Sequence, residues 1–370
     1  MNHYKICVYA ICKNEEQFVD RWMDAVSEAD EVIVTDTGST DDTVKKLRER
    51  GAVVYEENIS PWRFDTARNV AMDHVPEDAD ICVSNDLDEV FEPGWRKKLE
   101  SSWKPDQTRA SYLFTFSTNP DGTPKKQFTM EKIHARHGYR WVHPVHEVLK
   151  YSGEKPEKNG WINGLVLNHY PDLSKPRTQY LPLLELSVKE NPEDDRAAFW
   201  LGREYVFYKE YDKAIKMLKH HLTMPSATWA EERSASMRFI AHSYDAKGEK
   251  AEARSWLYRA LAECPIVREP YVALAKAGYL EKNWPLCYAM AEKGLTITQS
   301  TGSYLVDPAS WGYTLYDYCA ISAYCLGMYE QSLEYAKKAL KEDPSNERLK
   351  NNLKLIEYRL KKEHGEGVAS

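Results

Sequence analysis

Glu31-Val32-Ile33-Val34-Thr35-Asp36-Thr37-Gly38-Ser39-Thr40-Asp41-Asp42-Thr43 decides how the front of this chain folds. Residues 31–35 read as a strand that stops at an acidic side chain. Gly38 supplies a turn, and Ser39 to Asp42 offer N-caps for a helix over residues 43–50. The same order repeats on either side. Residues 5–12 are a buried-strand run, and 16–27 have helical spacing through Phe18, Trp22, Met23 and Val26. Residues 52–56 make a third strand and a helix lies around 66–73. A fourth strand over 80–84 then runs into Asn85-Asp86-Leu87-Asp88-Glu89. Strand–helix–strand order with short connections predicts a mostly parallel, Rossmann-like sheet covered on both faces.

From about 105 to 175 the pattern changes to short strands (110–117 and 165–168) among His-rich loops. Thr118-Asn119-Pro120-Asp121-Gly122-Thr123-Pro124 is a turn cluster. Pro171-Asp172-Leu173-Ser174-Lys175-Pro176 reads as a domain boundary. From 177 onward the chain is helical and repetitive. Ala198-Phe199-Trp200-Leu201-Gly202-Arg203-Glu204-Tyr205 followed by Tyr211-Asp212-Lys213-Ala214 fits a tetratricopeptide pattern, and it recurs at 240–253, 274–287 and 319–332. The anchors Tyr211, Lys250, Trp284 and Tyr329 stand 39, 34 and 45 residues apart, close to a 34-residue unit with insertions. The expected organisation is an α/β domain over 1–176, an all-α tetratricopeptide-like repeat domain over 177–362, and a disordered tail over 363–370. Residues 181–189 read as a half-repeat joining the two.

Composition narrows the function. Apolar content of 42% with 29% charged residues is that of a globular protein, and a net charge of −7 argues against nucleic acid as the main partner. No run approaches the roughly 18 apolar residues of a membrane span. Seven cysteines without framework spacing point to a reducing compartment, so the expected location is the cytoplasm.

In an open parallel sheet, ligands bind beyond the carboxyl ends of the strands. Both acidic clusters fall there, Asp36 after the second strand and Asp86 with Asp88 after the fourth. Read as an extended segment, residues two apart point to the same side. Converging carboxylates with no basic neighbour in sequence suggest a divalent cation held by hard oxygen ligands. Such a cation would neutralise a diphosphate leaving group.

Ile11-Cys12-Lys13-Asn14-Glu15, Asp36 to Thr43, Phe64-Asp65-Thr66-Ala67-Arg68-Asn69 and Asp86-Leu87-Asp88-Glu89 together resemble glycosyltransferase family 2. The likeness is strongest over residues 5 to 100. It is nearest to members with a truncated GT-A domain and tetratricopeptide repeats, akin to lipopolysaccharide-core β-glucosyltransferases. The resemblance implies a GT-A fold and inverting transfer from a nucleotide-sugar donor such as UDP-glucose, with Mn²⁺ or Mg²⁺ as cofactor. It implies donor contacts from Ala10, Glu15, Asp36, Arg68 and Asp86, with Asp36 on the base. Asp88 and Asp86 would hold the metal, and a distant His, best placed at His169, would complete it. Glu147, or His146 beside it in Trp141-Val142-His143-Pro144-Val145-His146-Glu147, would take the acceptor proton. The acceptor would be a glycan, glycolipid, peptide or modified nucleic acid, and the repeats would bind that acceptor, another protein or a second copy.

Structural readings stand beside these. Asp36 also suits a helix cap, Asp86 and Asp88 a solvated turn, and Arg68 an ion pair. Five histidines between His134 and His169 invite zinc, but the spacing suits neither a finger nor a metalloprotease helix. A catalytically silent scaffold is the main rival function. A nucleotidyltransferase would need a Gly-rich basic phosphate loop where Cys12-Lys13-Asn14-Glu15 stands.

Overall fold

The structure, a computed structural model, describes residues 3–172 and 180–363, and they divide into two compact units meeting at Glu190/Asn191. The expected boundary at 176 and most of the 363–370 tail lie outside the described residues.

The first unit is built on an eight-stranded mixed sheet. Its strands are β1 (Ile6–Cys12), β2 (Glu31–Asp36), β3 (Val53–Glu56), β4 (Ile81–Ser84), β5 (Glu89–Phe91), β6 (Arg109–Thr118), β7 (Pro124–Ala135) and β10 (Asn159–His169). The order is β3-β2-β1-β4-β7-β6-β10-β5, and four of the seven neighbouring pairs are parallel. A separate hairpin pairs β8 (Tyr139–Val142) with β9 (Val148–Tyr151).

Alternation along β1 explains why this sheet is buried twice over. Ile6, Val8, Ala10 and Cys12 enter a core with Val19, Trp22, Met23 and Val26 of α1 (Val19–Val26), Leu47 of α2 (Thr43–Glu49), and Trp95 and Leu99 of α4 (Trp95–Ser102). Cys7 and Tyr9 enter another with Ala71 and Met72 of α3 (Phe64–Asp73) and with Tyr139, Trp141 and Leu149 of the hairpin. Helix α5 (Tyr180–Glu190), read from sequence as a half-repeat, belongs to this unit: Tyr180 stacks on Phe64, and Glu190 pairs with Arg63 at 2.5 Å.

The stretch expected to hold short strands and His-rich loops instead contains the 12-residue β7, which joins β4 to β6. Its half-exposed, Lys-rich sequence hides the strand from an apolar pattern. The turn cluster before it closes the β6–β7 hairpin, with Asn119 N–H donating to Thr123 O at 2.8 Å.

Among its described residues the second unit holds four helix pairs, a short 3-10 helix (Pro308–Ser310) and a last helix. The pairs are α6 (Asp195–Phe207) with α7 (Tyr211–Thr223), α8 (Ala230–Ala246) with α9 (Lys250–Glu263), α10 (Glu269–Leu280) with α11 (Trp284–Leu295), and α12 (Thr314–Cys325) with α13 (Tyr329–Glu342). Helix α14 (Glu347–Glu363) follows. Each of the four sequence anchors is the first residue of its pair's second helix. Every intervening turn has three residues, and the middle one has positive φ: Lys209, Gly248, Lys282 and Gly327. The last turn residue donates to the carbonyl five back (Glu210 to Tyr205, Glu249 to Tyr244, Asn283 to Gly278, Met328 to Ala323), a Schellman closure. At Gly278 a Cβ would meet Cys287 N at 2.7 Å, so this pair requires glycine there. The 45-residue spacing has its own cause. Residues 296–313 leave α11 and cross the first helices of three pairs, with Tyr304 stacked on Trp200, Ser303 on Glu231 and Asp307 N–H on Glu269.

Candidate active site

The site forms where β1, β2 and β4 end together. At the end of β2, Asp36 is 2% exposed. Its Oδ2 accepts from Gly38 N–H at 3.0 Å and Ser39 N–H at 2.9 Å, and Oδ1 accepts from the Ser39 hydroxyl. Asp36 therefore folds its own loop and does not cap α2. Asp41 serves that helix start, accepting from Thr43 N–H at 3.1 Å. The loop after β1 is laced to this one: Asn14 Oδ1 accepts from Thr40 N–H at 2.7 Å, and Glu15 N–H donates to Thr43 Oγ1 at 2.8 Å. Ala10 is not brought to the surface; it is 1% exposed within the core under α1.

After β4, residues 86–89 close a turn through Glu89 N–H to Asp86 O at 2.9 Å, correcting the extended reading. The two aspartates consequently have different partners. Asp86 receives both guanidinium nitrogens of Arg68, at 2.8 and 3.0 Å, and the Lys132 ammonium at 2.9 Å. Burial alone would push the Asp86 carboxyl up, but Arg68 and Lys132 hold it well below the usual carboxylate range. Lys132 also reaches Glu89 at 2.9 Å. Burial pushes the Glu89 carboxyl up, Lys132 opposes this, and Asp86 and Asp88 reinforce it.

Arg68 is the hub. Its side chain is 7% exposed, its Nε donates to Glu147 Oε1 at 2.5 Å, and it lies over the Trp141 ring at 5.1 Å. One oxygen of Glu147, the residue expected to take the acceptor proton, is thus engaged by a guanidinium. His146, at φ 52°, stacks instead toward Tyr180 with ring centroids 5.7 Å apart.

Asp88 and His169, far apart in sequence, do meet. The β5–β10 pairing sets His169 opposite Glu89, and its Nε2 lies 3.2 Å from Asp88 Oδ2. Nδ1 faces Phe116 O at 3.3 Å, so both ring nitrogens face acceptors. Burial disfavours charge on His169, but Asp88 outweighs it and raises the pKa. His134 serves the fold. It is fully buried between Ala135 O and the Tyr9 hydroxyl, which also accepts from Trp141 Nε1, and burial pushes His134 down to about 4. Among the described residues, none of the five histidines between His134 and His169 joins a three-ligand cluster.

Sequence reasoning missed Lys132 and Glu89. Glu89 was visible as the fourth residue of the acidic turn. Lys132 carries no local signal, because only the β4–β7 pairing brings it to Asp86.

An eight-stranded mixed sheet with polar loops gathered where its parallel strands end is a Rossmann-like α/β domain. Residues 7–155 match the family described as Glycosyl transferase family 2. Solved structures similar to this chain include "Crystal structure of YrrB: a TPR protein with an unusual peptide-binding site", at 13% identity over 48% of this chain and 84% of that chain, TM-score 0.39. "Crystal structure of MamA" is 18% identical over 47% of this chain and 96% of that one, TM-score 0.37. "Functional Characterization of Pseudomonas Aeruginosa pilF" is 10% identical over 48% and 72%, TM-score 0.38. Among the described residues no helix is long and apolar enough to cross a membrane, and all seven cysteines are free.

Proposed function

We propose that the chain is an inverting glycosyltransferase that moves a sugar from a nucleoside-diphosphate donor, UDP-glucose or a relative, to an acceptor hydroxyl in a reducing, cytoplasmic compartment. The observation that carries this reading is the Asp88–His169 pair at the end of β4, within a sheet domain that matches glycosyltransferase family 2.

The two residues fit a divalent cation: one carboxylate and one imidazole nitrogen face each other at 3.2 Å, with the imidazole oriented from behind. Asp86 fits less well, since both of its oxygens are occupied by Arg68 and Lys132. When bound, Mn²⁺ or Mg²⁺ supplies charge neutralisation to the departing diphosphate. Asp36 holds the 37–39 loop where the base and ribose would lie, together with Glu15. Arg68 fixes Asp86 and Glu147 on either side of the donor. Glu147 takes the acceptor proton through its other oxygen, or His146 does so. The helical unit binds the acceptor, a partner protein or a second copy, and an extended ligand on its first helices would share that face with residues 296–313.

Calorimetric titration of UDP tests the reading. Affinity should rise at least about tenfold with Mn²⁺. In Asp36→Ala it should fall by about 1.5–3 kcal/mol, the worth of a charge-assisted hydrogen bond. Equal affinity with and without Mn²⁺ would count against the cation site, and unchanged binding by Asp36→Ala would leave Asp36 a loop-folding residue only.

A further inference from the structure

Three ligand-type side chains meet where the first two helix pairs abut. Asp195 lies in the first turn of α6, His221 in the last turn of α7 and Glu232 in the first turn of α8. Each offers one ligand atom, and all three atoms lie within 4.8 Å of one another. His221 is fully buried and Glu232 is 5% exposed.

The imidazole packs against Phe199, with ring centroids 5.7 Å apart. Its Nδ1 is 3.0 Å from the Ser236 hydroxyl, while Nε2, buried, makes no hydrogen bond and faces Glu232 Oε1 at 3.4 Å. With Nδ1–H donating to Ser236, the Nε2 lone pair points at a carboxylate oxygen. Two such acceptors repel unless a proton or a metal cation lies between them. Ligand atoms around a tetrahedral zinc, with bonds of about 2.0–2.1 Å, stand about 3.4 Å apart. The carboxylate is oriented in turn, because Glu232 Oε2 accepts from the Tyr304 hydroxyl at 2.8 Å. Supporting bonds of this kind behind both imidazole and carboxylate are what metal ligands require.

We propose that Asp195, His221 and Glu232 bind a divalent transition-metal ion, with zinc as the probe and a remaining position open to water. The ion clips α6, α7 and α8 together and, through Tyr304, fastens the crossing segment 296–313 onto the first repeats. It is independent of the glycosyl-transfer reading, since every group lies in the helical unit.

The test is zinc titration of the full chain carrying Asp88→Ala, which removes the cation ligand proposed for the sheet unit. Metal content after gel filtration and thermal unfolding are the readouts. The expected result is about one zinc per chain and a Tm that rises with zinc and falls back with chelator. His221→Gln and Glu232→Gln, each added to that background, should weaken zinc binding at least about tenfold. Glu232→Gln preserves volume and an acceptor for Tyr304, and so serves if His221→Gln fails to fold. A Tm indifferent to zinc with less than about a tenth of an equivalent retained overturns the proposal, leaving His221–Glu232 a buried proton-sharing pair. Equal zinc binding by the Glu232→Gln chain overturns it as well.

Discussion

Replacing Arg68 with Leu should destabilise the sheet unit far more than an ordinary surface change. The guanidinium makes a forked bond to Asp86 and a further bond to Glu147, with side chains 7%, 26% and 11% exposed respectively. Removing one member of such a cluster leaves carboxylates in a dry setting, which costs about 3–5 kcal/mol. Lys132 remains on Asp86 and should keep the loss near the lower figure. In a unit of this size about 3 kcal/mol lowers Tm by roughly 6–12 °C. The pH dependence supplies the sharper check. In the native chain Asp86 is held low, so its contribution is complete above the unfolded carboxylate pKa and disappears only as pH falls through the depressed folded value. In Arg68→Leu, loss of the guanidinium favours protonation of Asp86, and acid relieves its burial. The stability gap between the two chains should therefore shrink as pH is lowered from 7 toward 4. Chemical denaturation followed by fluorescence, with Trp141 over the guanidinium as reporter, measures it. A gap under about 1 kcal/mol at pH 7, as for an exposed pair, or a gap independent of pH, would refute the reasoning.

Two further outcomes follow from the same geometry. His134, pushed down to about 4 by burial, stays neutral in the fold while the unfolded chain protonates near 6.5. Its contribution is complete above pH 6.5 and is lost as pH falls toward 4, on the order of 3 kcal/mol in all. His134→Gln should flatten stability across that window in denaturant titrations, and an unchanged slope would contradict the buried neutral state. A chain truncated after Glu190, which retains the Tyr180 and Glu190 contacts of α5, should keep donor hydrolysis and lose transfer to acceptor. Full transfer with unchanged acceptor KM would remove the helical unit from acceptor binding.

What the sequence disclosed depended on locality. β1, β2, β4 and the loop from Asp36 to Thr43 were legible because strand, turn and cap follow one another within a dozen residues. The repeat anchors were legible for the same reason, each marking a helix start two residues after a positive-φ turn position. The electrostatics of the site were not. Asp86 has no basic neighbour in sequence, yet Arg68 and Lys132, 18 and 46 residues away, converge on it through α3 and β7. β7 itself escaped notice because its lysines and half-buried faces break the apolar alternation. Asp88 meets His169 across 81 residues only because β5 pairs antiparallel with β10. The Asp195–His221–Glu232 cluster had no sequence signature at all, being assembled from three helices.

The most direct measurement of the central claim is nucleotide release from a panel of nucleotide sugars by the full chain and by Asp88→Asn, each with and without Mn²⁺. Asp88 is partly exposed in a turn, so the amide should leave folding intact. The account predicts release from at least one UDP-linked donor by the native chain, dependent on Mn²⁺ and abolished in Asp88→Asn at unchanged Tm. Release by Asp88→Asn near the native rate at saturating Mn²⁺, or none by the native chain from any donor, would contradict it.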